Sequence, residues 1–106
     1  MIPRRFALGL ALLVAAAAPA LAQEGALALR QQSLAASCAA CHGTNGRPPA
    51  TATLPPLAGM PAAELVAQMK AFRSGARPAT VMRQLALGYS EAQLESLGAF
   101  FASQTR

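Results

Sequence analysis

The chain has no tryptophan, and aromatic residues make up only 5% of its 106 residues. It also has just two cysteines and one histidine. A closed structural zinc site needs four Cys or His ligands, so this composition excludes one. No stretch alternates apolar and polar residues well enough to predict a strand, and no internal repeat is visible. The sequence therefore predicts an all-α fold whose side chains alone make a thin core.

Both cysteines and the histidine occur together, in the stretch Cys38-Ala39-Ala40-Cys41-His42. C-x-x-C-H is the pattern at which haem is covalently attached in c-type cytochromes. Thiols three positions apart lie on one side of a helical turn, so each can reach a different vinyl group of one porphyrin. His42 follows at once and can take a proximal axial position on the iron. The motif predicts one haem c bound through Cys38 and Cys41.

Other interpretations of the cysteine pair are weaker. A redox dithiol of the thioredoxin kind needs a strand-to-helix setting, and no predicted strand precedes Cys38. A disulfide between Cys38 and Cys41 would close too small a loop to constrain the unfolded chain much. Haem attachment is therefore favoured, and a dithiol oxidoreductase without haem stays open as an alternative.

Residues 1–22 have the parts of a secretory signal peptide. Arg4 and Arg5 precede an apolar stretch, and a small-residue Ala-x-Ala pattern ends at Ala22. The apolar stretch is shorter than the about 20 residues that a membrane-spanning helix needs. We therefore predict export to the periplasm, cleavage after Ala22, no stable membrane anchor, and a single monohaem domain over residues 23–106.

The predicted mature domain has a small net charge. Without the two arginines of the leader, seven basic residues oppose four glutamates. Two haem propionates would bring the domain close to neutral, so the high sequence pI is no argument for nucleic-acid binding. Lys70, Arg73, Arg77 and Arg83 can form a basic patch for a redox partner or the propionates, or can lie at solvated helix ends.

Proline, glycine and apolar spacing predict about four helices. The last of them has Ser90 as its cap and Gln93 at the reciprocal position of a capping box. The predicted segments are a helix from about Leu27 into Cys38, a loop over residues 43–59, a helix from Pro61 to Ser74, a short helix between Pro78 and Gly88 with Val81, Met82 and Leu85 on one side, and a last helix that buries Leu94, Leu97, Phe100 and Phe101.

A domain of this size is near the lower limit at which a chain buries enough apolar surface to be stable. Haem would supply the missing apolar mass, as metals and disulfides do in other small domains. We therefore expect the polypeptide without haem to be largely unfolded or molten.

The residue that fills the sixth position on the iron decides between electron transfer and chemistry on a bound gas. The mature chain offers Met60, Met69 and Met82. Met69 lies on an apolar helical stripe, where a thioether is usually core filler. Met60 lies in a loop between Gly59 and Pro61. The residues alone favour Met82 narrowly, because its short element can dock against the haem face.

Five short segments carry a family resemblance. They are Leu34-Ala35-Ala36-Ser37 leading into C-A-A-C-H-G, Leu54-Pro55-Pro56-Leu57-Ala58-Gly59, Phe72-Arg73-Ser74-Gly75, Ala79-Thr80-Val81-Met82-Arg83 and Leu87-Gly88-Tyr89-Ser90. Together they resemble the haem subunit of flavocytochrome c sulfide dehydrogenases and their relatives among class I cytochromes c. The resemblance implies a small class I cytochrome c fold, with the helices packed around one covalently bound haem.

The resemblance also implies roles for two further residues. The family's axial methionine falls on Met82, and the proline whose carbonyl holds the proximal imidazole falls on Pro55. With His42 and Met82 on the iron, the chain would be an electron carrier without bond chemistry of its own. The implied donor is a flavoprotein that oxidises sulfide. A freely diffusing cytochrome for another dehydrogenase or a terminal oxidase, and a haem gas sensor with an open sixth site, stay open as alternatives.

Overall fold

The computed structural model describes the backbone of residues 4–106 and the side chains from residue 19 onward. This part of the chain contains no strand, and its helices follow a simple order. They are α1 (Arg4–His42), a short 3₁₀ turn (Thr44–Gly46), α2 (Ala62–Ser74), α3 (Met82–Leu87) and α4 (Glu91–Ala102). The predicted all-α fold with about four helices is confirmed.

Helix α1 is shared between two compact units of the chain, one up to Arg30 and the other from Gln31 to Arg106. The helix begins at Arg4 rather than near Leu27, and it passes through the predicted cleavage point with Pro19 inside it. The first three residues and the side chains of residues 4–18 lie outside the described residues. Cleavage after Ala22 therefore stays a prediction. Among the helices as described, none combines the length and the apolar character needed to cross a membrane.

The unit from Gln31 to Arg106 has a small core. Seven buried apolar residues form one cluster, contributed by the end of α1 and by the three later helices: Ala35, Leu65, Met69, Ala86, Leu94, Leu97 and Phe101. Helices α2 and α4 pack closely, because a Cβ on Gly98 would lie only 2.9 Å from the carbonyl oxygen of Ala62. A glycine at this point lets the two backbones approach.

The start of α4 matches the sequence pattern. The Ser90 hydroxyl accepts a hydrogen bond from the backbone N–H of Gln93 at 3.2 Å, and the Gln93 side chain accepts one from the Ser90 N–H at 2.8 Å. This reciprocal pair is the predicted capping box. Leu94, Leu97 and Phe101 are buried as expected, while Phe100 is half-buried.

Helix α3 differs from its prediction. It begins at Met82 instead of just after Pro78, and residues 76–81 are all exposed. Val81 and Leu85, which the sequence places on one side with Met82, are both exposed, and the buried residue is Ala86. The chain becomes helical only where a side chain reaches the core cluster, because a short helix needs tertiary packing to be stable.

Candidate functional site

The end of α1 carries the cysteine motif. The helix ends at His42 because Gly43 adopts a positive φ of 82°, a conformation that favours glycine. The Gly43 N–H still donates to the carbonyl oxygen of Ala39 at 3.0 Å, which closes the last turn. Cys38 and Cys41 lie one turn apart as free thiols, the first half-buried and the second exposed.

His42 is held by the loop that follows it. Its side chain is buried, with 9% of its surface exposed, and its Nδ1 atom lies 2.8 Å from the carbonyl oxygen of Pro55. A carbonyl oxygen can only accept, so Nδ1 must carry the hydrogen in this bond. In a neutral imidazole the other nitrogen, Nε2, then keeps a lone pair that can bind a metal.

The loop that holds Pro55 is fixed at both ends. The carbonyl oxygen of Gly46 accepts from the N–H groups of Leu57 at 2.9 Å and Ala58 at 3.1 Å. The Gly59 N–H donates to the carbonyl oxygen of Phe101 at 2.8 Å, at the end of α4. These bonds place the Pro55 carbonyl against His42, so the last helix helps to orient the imidazole.

Further bonds tie the chain beyond α4 to the same loop. Arg47 donates to the backbone oxygen of Thr105 at 2.7 Å and to its hydroxyl at 3.1 Å. The loop around His42 is therefore closed by residues at the other end of the sequence.

The three methionines of the described unit have different surroundings. Met69 belongs to the buried core cluster, with 7% of its surface exposed. Met60 and Met82 are half-buried, and both pack against the edge of that cluster, as Cys38 does. Met60 belongs to the Pro55 loop, where its N–H donates to the carbonyl oxygen of Leu57 at 3.1 Å. Met82 comes from a separate element, as the first residue of α3.

Several apolar side chains close to these residues in sequence are solvent-exposed. Leu54, which precedes Pro55 by one position, is 43% exposed. Val81 and Leu85, on either side of Met82, are 59% and 45% exposed. A porphyrin attached at the neighbouring cysteines would cover apolar side chains of this kind. Two thiols, an imidazole with a free Nε2 and these side chains together fit a covalently attached porphyrin.

The Cys38 thiol is poorly suited to dithiol redox chemistry. Burial raises its pKa above the ordinary value, and the hydrogen bond from Ser37 lowers it by a smaller amount. The nucleophile of a dithiol oxidoreductase is a thiolate whose pKa is depressed. The raised pKa therefore makes Cys38 itself a poor candidate for that nucleophile.

A polar network beside the site was not expected from the sequence. The Tyr89 hydroxyl lies 2.6 Å from the hydroxyl of Ser37, the residue before Cys38. Arg73 donates to the backbone oxygens of Ala86 and Tyr89, at 3.3 Å and 2.6 Å. These contacts join residues far apart in the chain. The only signal for them in the sequence is that Arg73, in the last turn of α2, and Glu91, in the first turn of α4, carry opposite charges.

The predicted basic patch is partly neutralised. Lys70 and Arg73 each pair with a different oxygen of the Glu91 carboxylate, both at 2.7 Å. Arg77 bonds Gln68 and lies over the Phe72 ring, 4.6 Å from its centroid. Two of the four cations therefore have an anionic partner.

Comparison with known proteins bears directly on this site. A family model described as "Cytochrome c" matches residues 28–104, well over half of the chain. The thiosulfate dehydrogenase electron acceptor of Thiomonas intermedia is 41% identical over 68 residues, covering 64% of this chain and 31% of that protein. Cytochrome c4 of Pseudomonas aeruginosa is 40% identical over 73 residues, covering 69% of this chain and 36% of that protein. The chain thus spans about a third of the length of these two relatives.

A third relative is the type of protein that the sequence segments resemble. The cytochrome subunit of sulfide dehydrogenase of Chlorobaculum tepidum is 29% identical over 77 residues, which cover 73% of this chain and 68% of that protein. The region matched by the family model, residues 28–104, contains the C-x-x-C-H motif that ends at His42 and the helices α2, α3 and α4. The chain therefore belongs to the cytochrome c family and binds one haem c covalently, through Cys38 and Cys41.

Proposed function

We propose that this chain transfers electrons in the periplasm through a haem whose iron is held by His42 and Met82. The haem supplies a one-electron redox couple, and the chain's own residues bind it, orient it and cover it. The observation that carries the proposal is the buried His42 ring, whose Nδ1 is 2.8 Å from the Pro55 carbonyl oxygen.

The Pro55 contact supports His42 as the proximal ligand. A histidine that binds a metal almost always donates its other ring N–H to a carbonyl or carboxylate, which fixes the ring and makes it more basic. His42 meets this condition with Nδ1, so Nε2 is the nitrogen that would bind the iron. Gly43 and the loop from Gly46 to Gly59 keep the ring in place.

The surroundings of the methionines support Met82 as the opposite ligand. Met69 is enclosed in the core, where its sulfur packs among apolar side chains. Met60 lies on the same loop as Pro55, the loop that supports the proximal side. Met82 comes from a different element and is flanked by exposed apolar residues. If His42 and Met82 both held the iron, the haem would supply electron exchange with little rearrangement and without binding a substrate, as a carrier requires.

The names of two relatives support a sulfur-oxidising electron donor. One is called a thiosulfate dehydrogenase electron acceptor and the other a cytochrome subunit of sulfide dehydrogenase. We propose that the donor is the flavoprotein subunit of a sulfide dehydrogenase and that this chain performs no bond chemistry itself. A second candidate is a freely diffusing carrier for a thiosulfate dehydrogenase, which the 41% identity to the first relative favours.

Covalent haem attachment, export and leader removal are tested together by expressing the full chain with the periplasmic haem-attachment machinery. We expect an intact mass equal to residues 23–106 plus one haem, and a reduced-minus-oxidised spectrum typical of a c-type cytochrome. A colourless product that weighs no more than its amino acids would contradict the proposal. A mass that retains residues 1–22 would contradict cleavage alone.

The donor is tested by anaerobic reduction of the purified haem protein. We expect rapid reduction by sulfide only in the presence of a flavoprotein sulfide dehydrogenase subunit, and copurification with that subunit. Reduction by thiosulfate and a thiosulfate dehydrogenase, without a stable complex, would favour the second candidate. Reduction by neither system would contradict a sulfur-oxidising donor.

A further inference from the structure

We propose that Arg73 and Tyr89 are positioning residues that hold the helix carrying Met82, and that they set how readily an external ligand displaces Met82 from the iron. The inference rests on the proposed ligation by Met82. It adds the part of the chain that keeps this methionine in place.

Helix α3 needs support from outside itself. It has six residues, and its N-cap, Val81, makes no side-chain capping bond. The six residues that precede Met82 are all exposed. An isolated helix of this length is unstable in water, because nucleation fixes several residues for each hydrogen bond gained. Packing of Met82 and Ala86 against the core cluster, together with contacts at its other end, must therefore hold it.

Arg73 supplies these contacts from α2. Its guanidinium donates to the carbonyl oxygen of Ala86 in the last turn of α3 and to that of Tyr89 in the linker, and it pairs with Glu91 at the start of α4. Ala86 is fully buried and lies four residues after Met82, which is about one helical turn. A planar fork with five donors can serve three acceptors at once, and lysine cannot reproduce this geometry.

Tyr89 ties the same linker to the haem-bearing helix. Its hydroxyl lies 2.6 Å from that of Ser37, which is adjacent in sequence to Cys38. We call Ser37, Arg73, Tyr89 and Glu91 the α3 clamp. The clamp joins the far end of the Met82 helix to α1, α2 and α4, so the position of Met82 is fixed relative to the thiols that attach the porphyrin.

The clamp has a consequence for ligand exchange. Met82 is the first residue of α3, so any displacement of this end of the helix would carry its thioether away from the haem. Movement of α3 disturbs the hydrogen bonds that Arg73 donates to Ala86 and Tyr89. Both come from a charged donor, and such hydrogen bonds are stronger than those between neutral groups. The clamp therefore makes the open state of the sixth position rarer.

The test uses imidazole as an external ligand of the ferric, haem-loaded protein. Affinity is measured by optical titration and the opening rate by stopped flow. We expect Arg73→Gln to raise the apparent imidazole affinity about tenfold, the factor that corresponds to losing one hydrogen bond from a charged group. Tyr89→Phe removes a neutral bond and should raise the affinity by roughly threefold.

Arg77→Gln is the matched control. It removes the same charge near the same end of α2, but the side-chain contacts of Arg77 are with Gln68 and Phe72 on that helix. We expect its imidazole affinity to equal that of the unsubstituted protein. Arg73→Lys should lie between the unsubstituted protein and Arg73→Gln. If Arg73→Gln fails to give folded haem protein, Tyr89→Phe and Ser37→Ala carry the test.

Combination with Met82→Ala separates the two proposals. In the Met82→Ala protein the sixth position is already open, so adding Arg73→Gln or Tyr89→Phe should change imidazole affinity little. An equal effect with and without Met82 would overturn the clamp, since the residues would then act on the pocket in general. No effect of clamp substitutions in the protein that retains Met82 would overturn it too. If Met82→Ala itself binds imidazole no better, the proposed ligation fails instead.

Discussion

The carbonyl oxygen of Pro55 determines which nitrogen of His42 carries the hydrogen. The acceptor belongs to the backbone, so the side chain of residue 55 matters only through the conformation it imposes. Proline has a fixed φ, and Pro56 next to it restricts Pro55 to an extended conformation. Two consecutive prolines therefore hold the acceptor at 2.8 Å from Nδ1 without a hydrogen-bonded element of their own.

The choice between Met82 and Met60 is tested residue by residue. We expect Met82→Ala to give a red, covalently haemylated protein with new affinity for external ligands. Its reduction potential should fall by on the order of 100 mV, a modest part of the range of about 0.8 V that axial ligands span. Redox titration and carbon monoxide binding measure these changes.

Met60→Ala is the matched control, because Met60 is also half-buried beside the core cluster. Its potential and ligand binding should stay close to those of the unsubstituted protein. If Met60→Ala produces the open site and Met82→Ala does not, the ligand assignment is wrong. Rapid and complete carbon monoxide binding by the unsubstituted reduced protein would favour the gas sensor.

Among the elements, the 3₁₀ turn after α1 requires a glycine at position 46. Gly46 has a φ of 76°, and a Cβ there would lie 2.6 Å from the backbone nitrogen of Ala58 and 2.9 Å from the Phe101 ring. We expect Gly46→Ala to lower the free energy of unfolding by about 2–4 kcal/mol, from backbone strain and overpacking together. Denaturant titration of the haem protein measures this loss.

Gly75→Ala separates strain from crowding in that experiment. Gly75 has a similar φ of 83°, but no atom lies within 4 Å of the position a Cβ would take. This variant should lose only the cost of the strained backbone, about 1 kcal/mol. Equal losses of unfolding free energy for the two variants would show that crowding of the added Cβ at position 46 against Ala58 and Phe101 contributes nothing.

The junction between α2 and α4 should weaken in acid. The hydrogen bond from Lys70, and then that from Arg73, lowers the pKa of the Glu91 carboxyl below its ordinary value of 4.5. A depressed pKa in the folded state means that the stabilisation is present above the unfolded pKa and is lost as the pH falls through the folded pKa. The stabilisation from these pairs should therefore be complete at neutral pH.

Glu91→Gln tests this pH dependence. We expect the variant to melt at a lower temperature than the unsubstituted haem protein at neutral pH, and the difference to shrink as the pH falls below 4.5. The side chains of Glu91 and Lys70 are solvent-exposed, so the effect should be small and weaker at high salt. Glu95→Gln on the same helix is the control. A melting difference that is constant with pH would contradict the ion-pair explanation.

For the whole molecule, the main question is how so small a core is stable. The buried cluster has seven members, two of which are alanine. We expect the Cys38→Ala, Cys41→Ala double variant, which cannot attach haem, to be largely unfolded or molten. Loss of near-ultraviolet dichroism, dye binding to exposed apolar surface and rapid proteolysis would all report this state.

The matched control is the haem-loaded protein under the same conditions, which should unfold cooperatively and resist the protease. A double variant that unfolds in a single sharp transition and survives proteolysis would show that the polypeptide is stable without the porphyrin. In that case the exposure of Leu54, Val81 and Leu85 would need a different explanation.

Features that depend on near neighbours in sequence could be predicted from local patterns. Features that join distant residues could not, apart from the contact of Pro55 with His42, which the family resemblance implied. The cysteine motif and the capping box of Ser90 and Gln93 each lie within a few positions, so their patterns are legible. The start of α3 is set by where Ala86 and Met82 meet other helices. The bond between Ser37 and Tyr89 joins residues 52 positions apart, and no local pattern specifies it.

The bond between Arg47 and Thr105 has a consequence for the order of events during biosynthesis. The two residues are 58 positions apart, so this bond forms only after the chain between them has folded. In the exported, unfolded polypeptide Cys38 and Cys41 therefore stay accessible before the loop over His42 closes. We expect the porphyrin vinyl groups to be joined to both sulfurs in this interval.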